Sequence, residues 1–177
     1  MDIAAKTHWD GYDMGHLTLH VDLFDAELPF TLFPADRAGP VVTEKMEATV
    51  RDVLALPRSH IERIASMLWD EANFAFQVAD YGVEAEAGET PLEAHLRDFG
   101  IAGPDDALRK SVVRGVQVMD EFESRFAQIK IESAANNLIA IIVRNGRIID
   151  WDDDGTYLGW FEEDEQTAAK RRAKILG

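Results

Sequence analysis

The chain has 177 residues, of which 33 are acidic and 18 are basic, so its net charge at pH 7 is -15. A surface this negative repels phosphate backbones and anionic membranes, which argues against nucleic-acid and membrane binding. It is compatible with a basic protein partner, and the alternative is that the acidic surface serves only to keep the protein soluble. The chain has no cysteine, so disulfides, thiol catalysis and thiolate metal sites are excluded.

The length of the chain fits a single domain over residues 1–177, and its hydrophobic content of 46% is enough for one core. The longest apolar run, from Leu138 to Val143, has six residues, against the roughly 20 that a membrane-spanning helix requires. The N-terminus has no apolar stretch of the kind that a signal peptide carries. We therefore expect a cytoplasmic bacterial protein. Residues 82–90 are rich in Gly and Glu and are expected to form an exposed linker.

The N-terminal region is predicted to form a β-hairpin. Residues His16 to Phe24 alternate apolar and polar side chains, as a strand with one buried face does. The alternation resumes from Leu28 to Leu32 after a short acidic turn, and a short strand around residues 8–12 could precede the hairpin. Because Pro29 has no N–H to donate, the second strand is predicted to lie at a sheet edge or a bulge there.

The middle of the chain is predicted to be helical. Thr43 can cap a helix over residues 44–56. Ser59 opens a capping-box sequence in front of the strongest amphipathic stripe of the chain, so a long helix is expected to run from there to about Val78. Two shorter helices are expected after a second capping box and a Gly-Pro pair, at Thr90 and Gly103.

The C-terminal third is predicted to be rich in β-structure. Asn145-Gly146 strongly favours a tight hairpin turn, because both residues accept positive φ. Acids and then bases follow one another from Glu162 to Lys174, the order that suits a helix dipole, which predicts a C-terminal helix. The predicted strands of this meander are residues 111–119, 125–132, 138–143 and 147–151, and Tyr157 to Phe161 is a further short strand.

The order of these elements predicts an α+β fold. The N-terminal hairpin and the C-terminal meander are expected to build one antiparallel sheet, and the helices between them are expected to pack on one of its faces.

The stretch from Ile148 to Glu165 contains eight acids and no base. Within it, D-x-D-x-D-G matches the opening of a calcium loop, whose twelfth residue should be a bidentate acid. The twelfth residue here is Phe161, so the EF-hand clamp is missing, and a solvated turn is the simpler interpretation. Calcium binding stays an alternative, with the ligands Asp150, Asp152 and Asp154.

Aromatic residues are interleaved with the acids of this stretch. They could be core residues of the last predicted strand, but the same mixture occurs in binding hot spots for a basic partner with an apolar centre. We therefore hypothesise that this surface binds a basic protein and that the chain uses no cofactor. The residues assigned to it are Trp151, Asp152, Asp153, Asp154, Tyr157, Trp160, Glu162 and Glu163.

Catalytic motifs do not stand out. None of the five serines lies in G-x-S-x-G, and the sequence has no glycine-rich phosphate loop. His16 and His20 fall on a predicted strand, where about 13 Å would separate them, too far for one metal ion. With 33 acids in the chain, an enzyme with a carboxylate-based site is a further alternative, although no catalytic residue is singled out.

The order of elements resembles a set of small bacterial α+β domains, in which an N-terminal hairpin leads to two helices and a late hairpin carries an acidic, aromatic turn. Residues 16–33, 43–80 and 138–160 carry the resemblance, including the stretch N-G-R-I-I-D-W-D-D-D-G-T-Y-L-G-W. Some such domains lie beside polymorphic toxins and act as immunity proteins, which neutralise a toxin by binding it. The resemblance implies a non-enzymatic role with a toxin as the basic partner, and it assigns no functional residue.

Overall fold

A computed structural model describes residues 1–35 and 39–162. These residues form seven strands and five α-helices, which confirms the α+β class. Of the C-terminal helix predicted from Glu162 onward, every residue after Glu162, with Glu163 among them, lies outside the described residues. The strands are β1 (His8–Trp9), β2 (Gly15–Val21), β3 (Ala26–Phe33), β4 (Val112–Met119), β5 (Phe126–Glu132), β6 (Leu138–Arg144) and β7 (Arg147–Asp153).

All seven strands form one sheet, in which they follow one another in chain order. β2 and β3 pair as the predicted antiparallel hairpin, with Leu17 opposite Phe30. Side chains of β2 alternate between buried and exposed along its whole length, as the sequence pattern predicted. β4 to β7 form the predicted meander, and its last turn has positive φ at both Asn145 (48°) and Gly146 (75°).

The two halves of the sheet meet in a parallel pair, β3 with β4, so the sheet is mixed rather than wholly antiparallel. The chain passes through four helices between these two strands, as a parallel connection requires. β3 is therefore an interior strand, and the edge position predicted from Pro29 is wrong. The pairing is irregular in the neighbouring strand β4, where the register shifts between Val113 and Gly115. Gly115 lies so close to β3 that a Cβ on it would be 2.7 Å from the carbonyl oxygen of Pro29.

Three of the four helices predicted before β4 begin where the sequence predicted, and a short N-terminal helix over Ile3–Lys6 was not predicted. The hydroxyl of Thr43 accepts the N–H of Met46 at 3.1 Å, and the capping box at Thr90 is complete. The prediction for Ser59 is wrong: a 3-10 turn over Arg58–His60 leads into the long helix, and no side chain caps it. No α-helix in residues 1–35 and 39–162 is long and apolar enough to cross a membrane. The helices are α1 (Ile3–Lys6), α2 (Glu44–Leu54), α3 (Ile61–Val78), α4 (Pro91–Asp98) and α5 (Pro104–Lys110).

The predicted linker at residues 82–90 has no regular secondary structure. The guanidinium of Arg97 in α4 donates to both carboxylate oxygens of Glu89, at 2.9 and 3.0 Å. The segment is therefore attached to the helix that follows it.

The sheet has a core on each face. The helices cover one face, where residues such as Val50 of α2 and Leu68 of α3 pack against the inward side chains of the sheet in the main core. β5 and β6 are buried on both sides, as predicted for residues 138–143 from their uninterrupted apolar run. The second core, on the opposite face, consists of Phe122, Phe126, Ala140, Ile142, Leu158 and Phe161.

Candidate functional site

β7 divides the predicted binding residues between the two faces of the sheet. Trp151 lies opposite Ile141, and both contribute to the main core under the helices, where Trp151 is half-buried. Asp153 points to the same face, two residues further along the strand. Asp152 lies opposite Ala140, a member of the second core. The alternation of side chains along a strand therefore separates residues that are neighbours in sequence.

The acids that end β7 form bonds within the turn that they make. The hydroxyl of Thr156 donates to Oδ2 of Asp152 at 3.0 Å, and its N–H donates to the carbonyl oxygen of Asp153 at 3.1 Å. The ammonium of Lys130 lies 2.6 Å from Oδ1 of Asp154 and donates to the carbonyl oxygen of the same residue at 2.7 Å. Asp152 and Asp154 thus stabilise the turn rather than stand free in solvent.

The three carboxylates of the calcium alternative have three different partners. Oδ1 of Asp150 accepts the N–H of Trp151 at 2.9 Å, while Asp152 and Asp154 bond to Thr156 and Lys130. Within the described ranges, no group of three His, Cys, Asp or Glu side chains is placed to hold a metal ion. A cation at this turn would have to displace the ammonium of Lys130.

A 3-10 helix over Leu158–Phe161 replaces the short strand predicted for Tyr157 to Phe161. Leu158 and Phe161 are only 2% and 4% exposed, because residues three apart share one side of a 3-10 helix and this side packs on the second core. The rings of Tyr157 and Trp160 stay on the outer side, 57% and 49% exposed. The backbone is therefore anchored while two aromatic rings face the solvent.

These rings continue an aromatic series that starts in the second core. Phe126 is fully buried, and its ring centroid lies 5.5 Å from that of Phe122. Phe122 in turn lies 5.7 Å from Tyr157, and Tyr157 lies 6.3 Å from Trp160. All three pairs have the edge-to-face arrangement that aromatic rings favour. The exposed rings are thus held by buried ones.

The loop between β4 and β5 adds two acids that the sequence analysis did not assign to this surface. Phe122 holds the loop against the second core and leaves Glu121 and Glu123, on either side of it, exposed. Ser124 donates its N–H at 3.0 Å and its hydroxyl at 2.9 Å to the carboxylate of Glu162, which joins the loop to the end of the 3-10 helix. The pattern D-E-F-E-S, an aromatic residue between acids, was the available signal. We call Tyr157, Trp160, Glu121, Glu123 and Glu162 the aromatic-acidic surface.

A groove on the same face of the sheet contains the carboxylates of Glu132 and Asp154 beside Lys130. Burial lowers the pKa of the Lys130 ammonium, and the hydrogen bond and negative charge of Asp154 oppose that effect. None of the described residues that line the groove is a histidine, and the two carboxylates are its acidic groups.

The described chain is thus an α+β protein whose seven-stranded sheet carries helices on one face and an aromatic-acidic surface beside the other. Comparisons with protein-family models, with curated proteins and with solved structures found no match. The function is therefore argued from the residues alone.

Proposed function

We propose that this protein is a non-enzymatic binding module that holds a basic protein partner on its aromatic-acidic surface. The proposal is supported above all by the exposure of Tyr157 and Trp160, 57% and 49%, although Leu158 between them and Phe161 after them are buried. A segment that buried all of its apolar side chains would be explained by packing alone. This segment leaves its two largest rings outside.

The aromatic series makes these rings suitable anchors. Tyr157 is fixed between Phe122 and Trp160 by edge-to-face contacts, and a Cβ on Gly159 would overlap its ring. A ring whose position is set before association loses little conformational entropy when a partner covers it. Tyrosine and tryptophan are also the residues that most often dominate the energy of an interface.

The charge around the rings defines the partner. Glu121 and Glu123 are exposed on the adjoining loop, and Glu162 lies at the end of the 3-10 helix. With a net charge of -15, the molecule attracts cationic proteins over a distance of about one Debye length and accelerates their encounter. A basic toxin held by an immunity or accessory protein is a partner of this kind.

The first experiment removes the rings. Tyr157→Ala with Trp160→Ala is compared with wild type and with a matched control, Tyr12→Ala with Phe74→Ala, whose rings are 84% and 51% exposed at other places. Proteins retained at low salt from the native cell extract are identified, and the affinity of each purified candidate is then measured. We expect a basic partner that binds wild type and control alike and that loses at least about tenfold in affinity for the ring variant.

The second experiment tests the charge. Glu121→Gln with Glu123→Gln should slow association with that partner and leave dissociation nearly unchanged, because exposed charges act mainly on the encounter rate. Glu62→Gln with Asp70→Asn, exposed acids on α3, changes the net charge equally and should slow association less. A partner that binds the ring variant as tightly as wild type, or no specific partner at low salt, would contradict the proposal.

A further inference from the structure

The face of the sheet opposite the helices carries a groove of about 510 Å³ that crosses β3, β4 and β5. Gly115 contributes no side chain to it, and a Cβ there would lie 2.7 Å from the carbonyl oxygen of Pro29. The sheet surface is therefore recessed at this point. The volume lies within the range of about 300–1,000 Å³ that is usual for small-molecule sites.

Lys130 lies in this groove with a side chain that is only 7% exposed. Both of its oxygen contacts are to Asp154, one to the carboxylate and one to the carbonyl. An ammonium group has three N–H donors, and no other residue in the described chain accepts a hydrogen bond from this one. One charged donor is thus left for a ligand in the groove.

Arg114 supplies a second cation on the wall of the groove. Its Nε donates to Oε2 of Glu132 at 2.8 Å, and Nη2 donates to the same oxygen. The Nη1 group makes no hydrogen bond within the described residues, and the side chain is 54% exposed. The charges of Lys130 and Arg114 are thus balanced by Asp154 and Glu132. Among these four side chains, the N–H donors that have no partner in the described chain all belong to the two cations.

We propose that this groove binds a small organic monocarboxylate between Lys130 and Arg114. A carboxylate offers two coplanar oxygens, which suits one donor from an ammonium and one from a guanidinium. The apolar part of the ligand would lie against Pro29 and Leu138, whose side chain is 45% exposed. A phosphate dianion would carry a second negative charge towards Asp154 and Glu132, which disfavours it.

The test is a titration of the ¹⁵N-labelled full chain with sodium benzoate at constant ionic strength, with benzamide as the neutral analogue of the same shape. We expect saturable shifts of the backbone amide signals of Gly115 and Gln117 with benzoate and none with benzamide. Arg114→Gln should weaken binding about tenfold, because one charge-assisted hydrogen bond is lost. Arg109→Gln, which removes an exposed arginine from α5, should leave binding unchanged.

Lys130→Met should abolish the benzoate shifts, and its unfolding midpoint shows whether the variant is folded. Because Arg114 is exposed, the Arg114→Gln variant keeps the test decisive even if Lys130→Met is unstable. Equal shifts with benzamide, no saturable shift, or tighter binding of inorganic phosphate would each overturn the proposal. Benzoate binding that is unchanged by Tyr157→Ala with Trp160→Ala would separate this site from the aromatic-acidic surface, so the two proposals succeed or fail independently.

Discussion

The contribution of one buried carboxyl in α3 to the stability of this protein should decrease as the pH rises. Glu71 is 2% exposed, and Asn137 donates to its Oε1 at 2.8 Å. Its Oε2 has no hydrogen-bond partner in the described structure. Burial raises the pKa of Glu71 above its ordinary value of 4.5, the polar groups of Asn137 and Ser133 oppose this, and the nearby negative charge of Asp153 adds to it.

The direction of the effect follows from proton linkage. The folded state holds the proton of Glu71 more tightly than the unfolded state does, so its contribution to stability is complete below pH 4.5. That contribution is lost as the pH rises through the higher pKa of the folded state. For each unit by which folding raises the pKa, about 1.4 kcal/mol of unfolding free energy is lost once the pH is above the pKa of the folded state. Because Glu71 is almost fully buried, solvent screening reduces this little.

Glu71→Gln should remove this dependence. The amide keeps an oxygen that can accept from Asn137, and it does not titrate. Urea unfolding at several pH values between about 5 and about 8 gives the unfolding free energies of wild type and variant. Relative to wild type, the variant should become more stable as the pH rises. The absolute stability of the variant is not the test, because its amide brings two buried donors of its own.

Two further variants sharpen this measurement. Asp153→Asn should weaken the pH dependence without abolishing it, since one neighbouring negative charge is lost while burial remains. Glu62→Gln changes an exposed carboxyl on the same helix and should leave the dependence as in wild type. A difference between wild type and Glu71→Gln that stays constant with pH would refute the reasoning.

Two other predictions concern the second core and the acidic turn. Phe126→Ala should lower the unfolding free energy by about 3–5 kcal/mol, because this fully buried ring lies at the base of the aromatic series; a loss below about 1 kcal/mol in urea unfolding would show that the second core contributes little. Millimolar calcium should raise the melting temperature no more than magnesium does, because Asp150, Asp152 and Asp154 have separate partners, the last of them Lys130; a rise specific to calcium that Asp152→Asn abolishes would contradict this.

Local patterns accounted for most of the secondary structure. Alternation in β2, the Thr43 cap and the Asn145-Gly146 turn each depend on interactions within a few residues, and all three predictions are confirmed. The parallel β3–β4 pair was missed because it joins segments separated by four helices, and no local pattern records such a pairing. The preference of Pro29 for a sheet edge is local, whereas β4 and Gly115, which pack beside it, are distant in the sequence.

The 3-10 helix could have been found from spacing. Leu158 and Phe161, three apart, are the buried residues of that segment, whereas a strand would bury alternate positions. The distinction decides which rings are exposed, since a strand from Tyr157 would have placed Tyr157 and Phe161 on one face and not Tyr157 with Trp160.

Composition cannot separate acids that face a partner from acids that stabilise the fold. Asp154 bonds to Lys130 and Glu162 to Ser124, and these partners lie 24 and 38 residues away in the chain. Part of the negative charge of residues 148–165 is therefore used internally, and the exposed carboxylates of Glu121 and Glu123 come from the loop that Phe122 holds in place. The proposed recognition surface depends on one buried phenylalanine, Phe122, which packs against Tyr157 and so joins the loop before β5 to the segment after β7. In this proposal, packing rather than the number of charges decides where a cationic partner would bind.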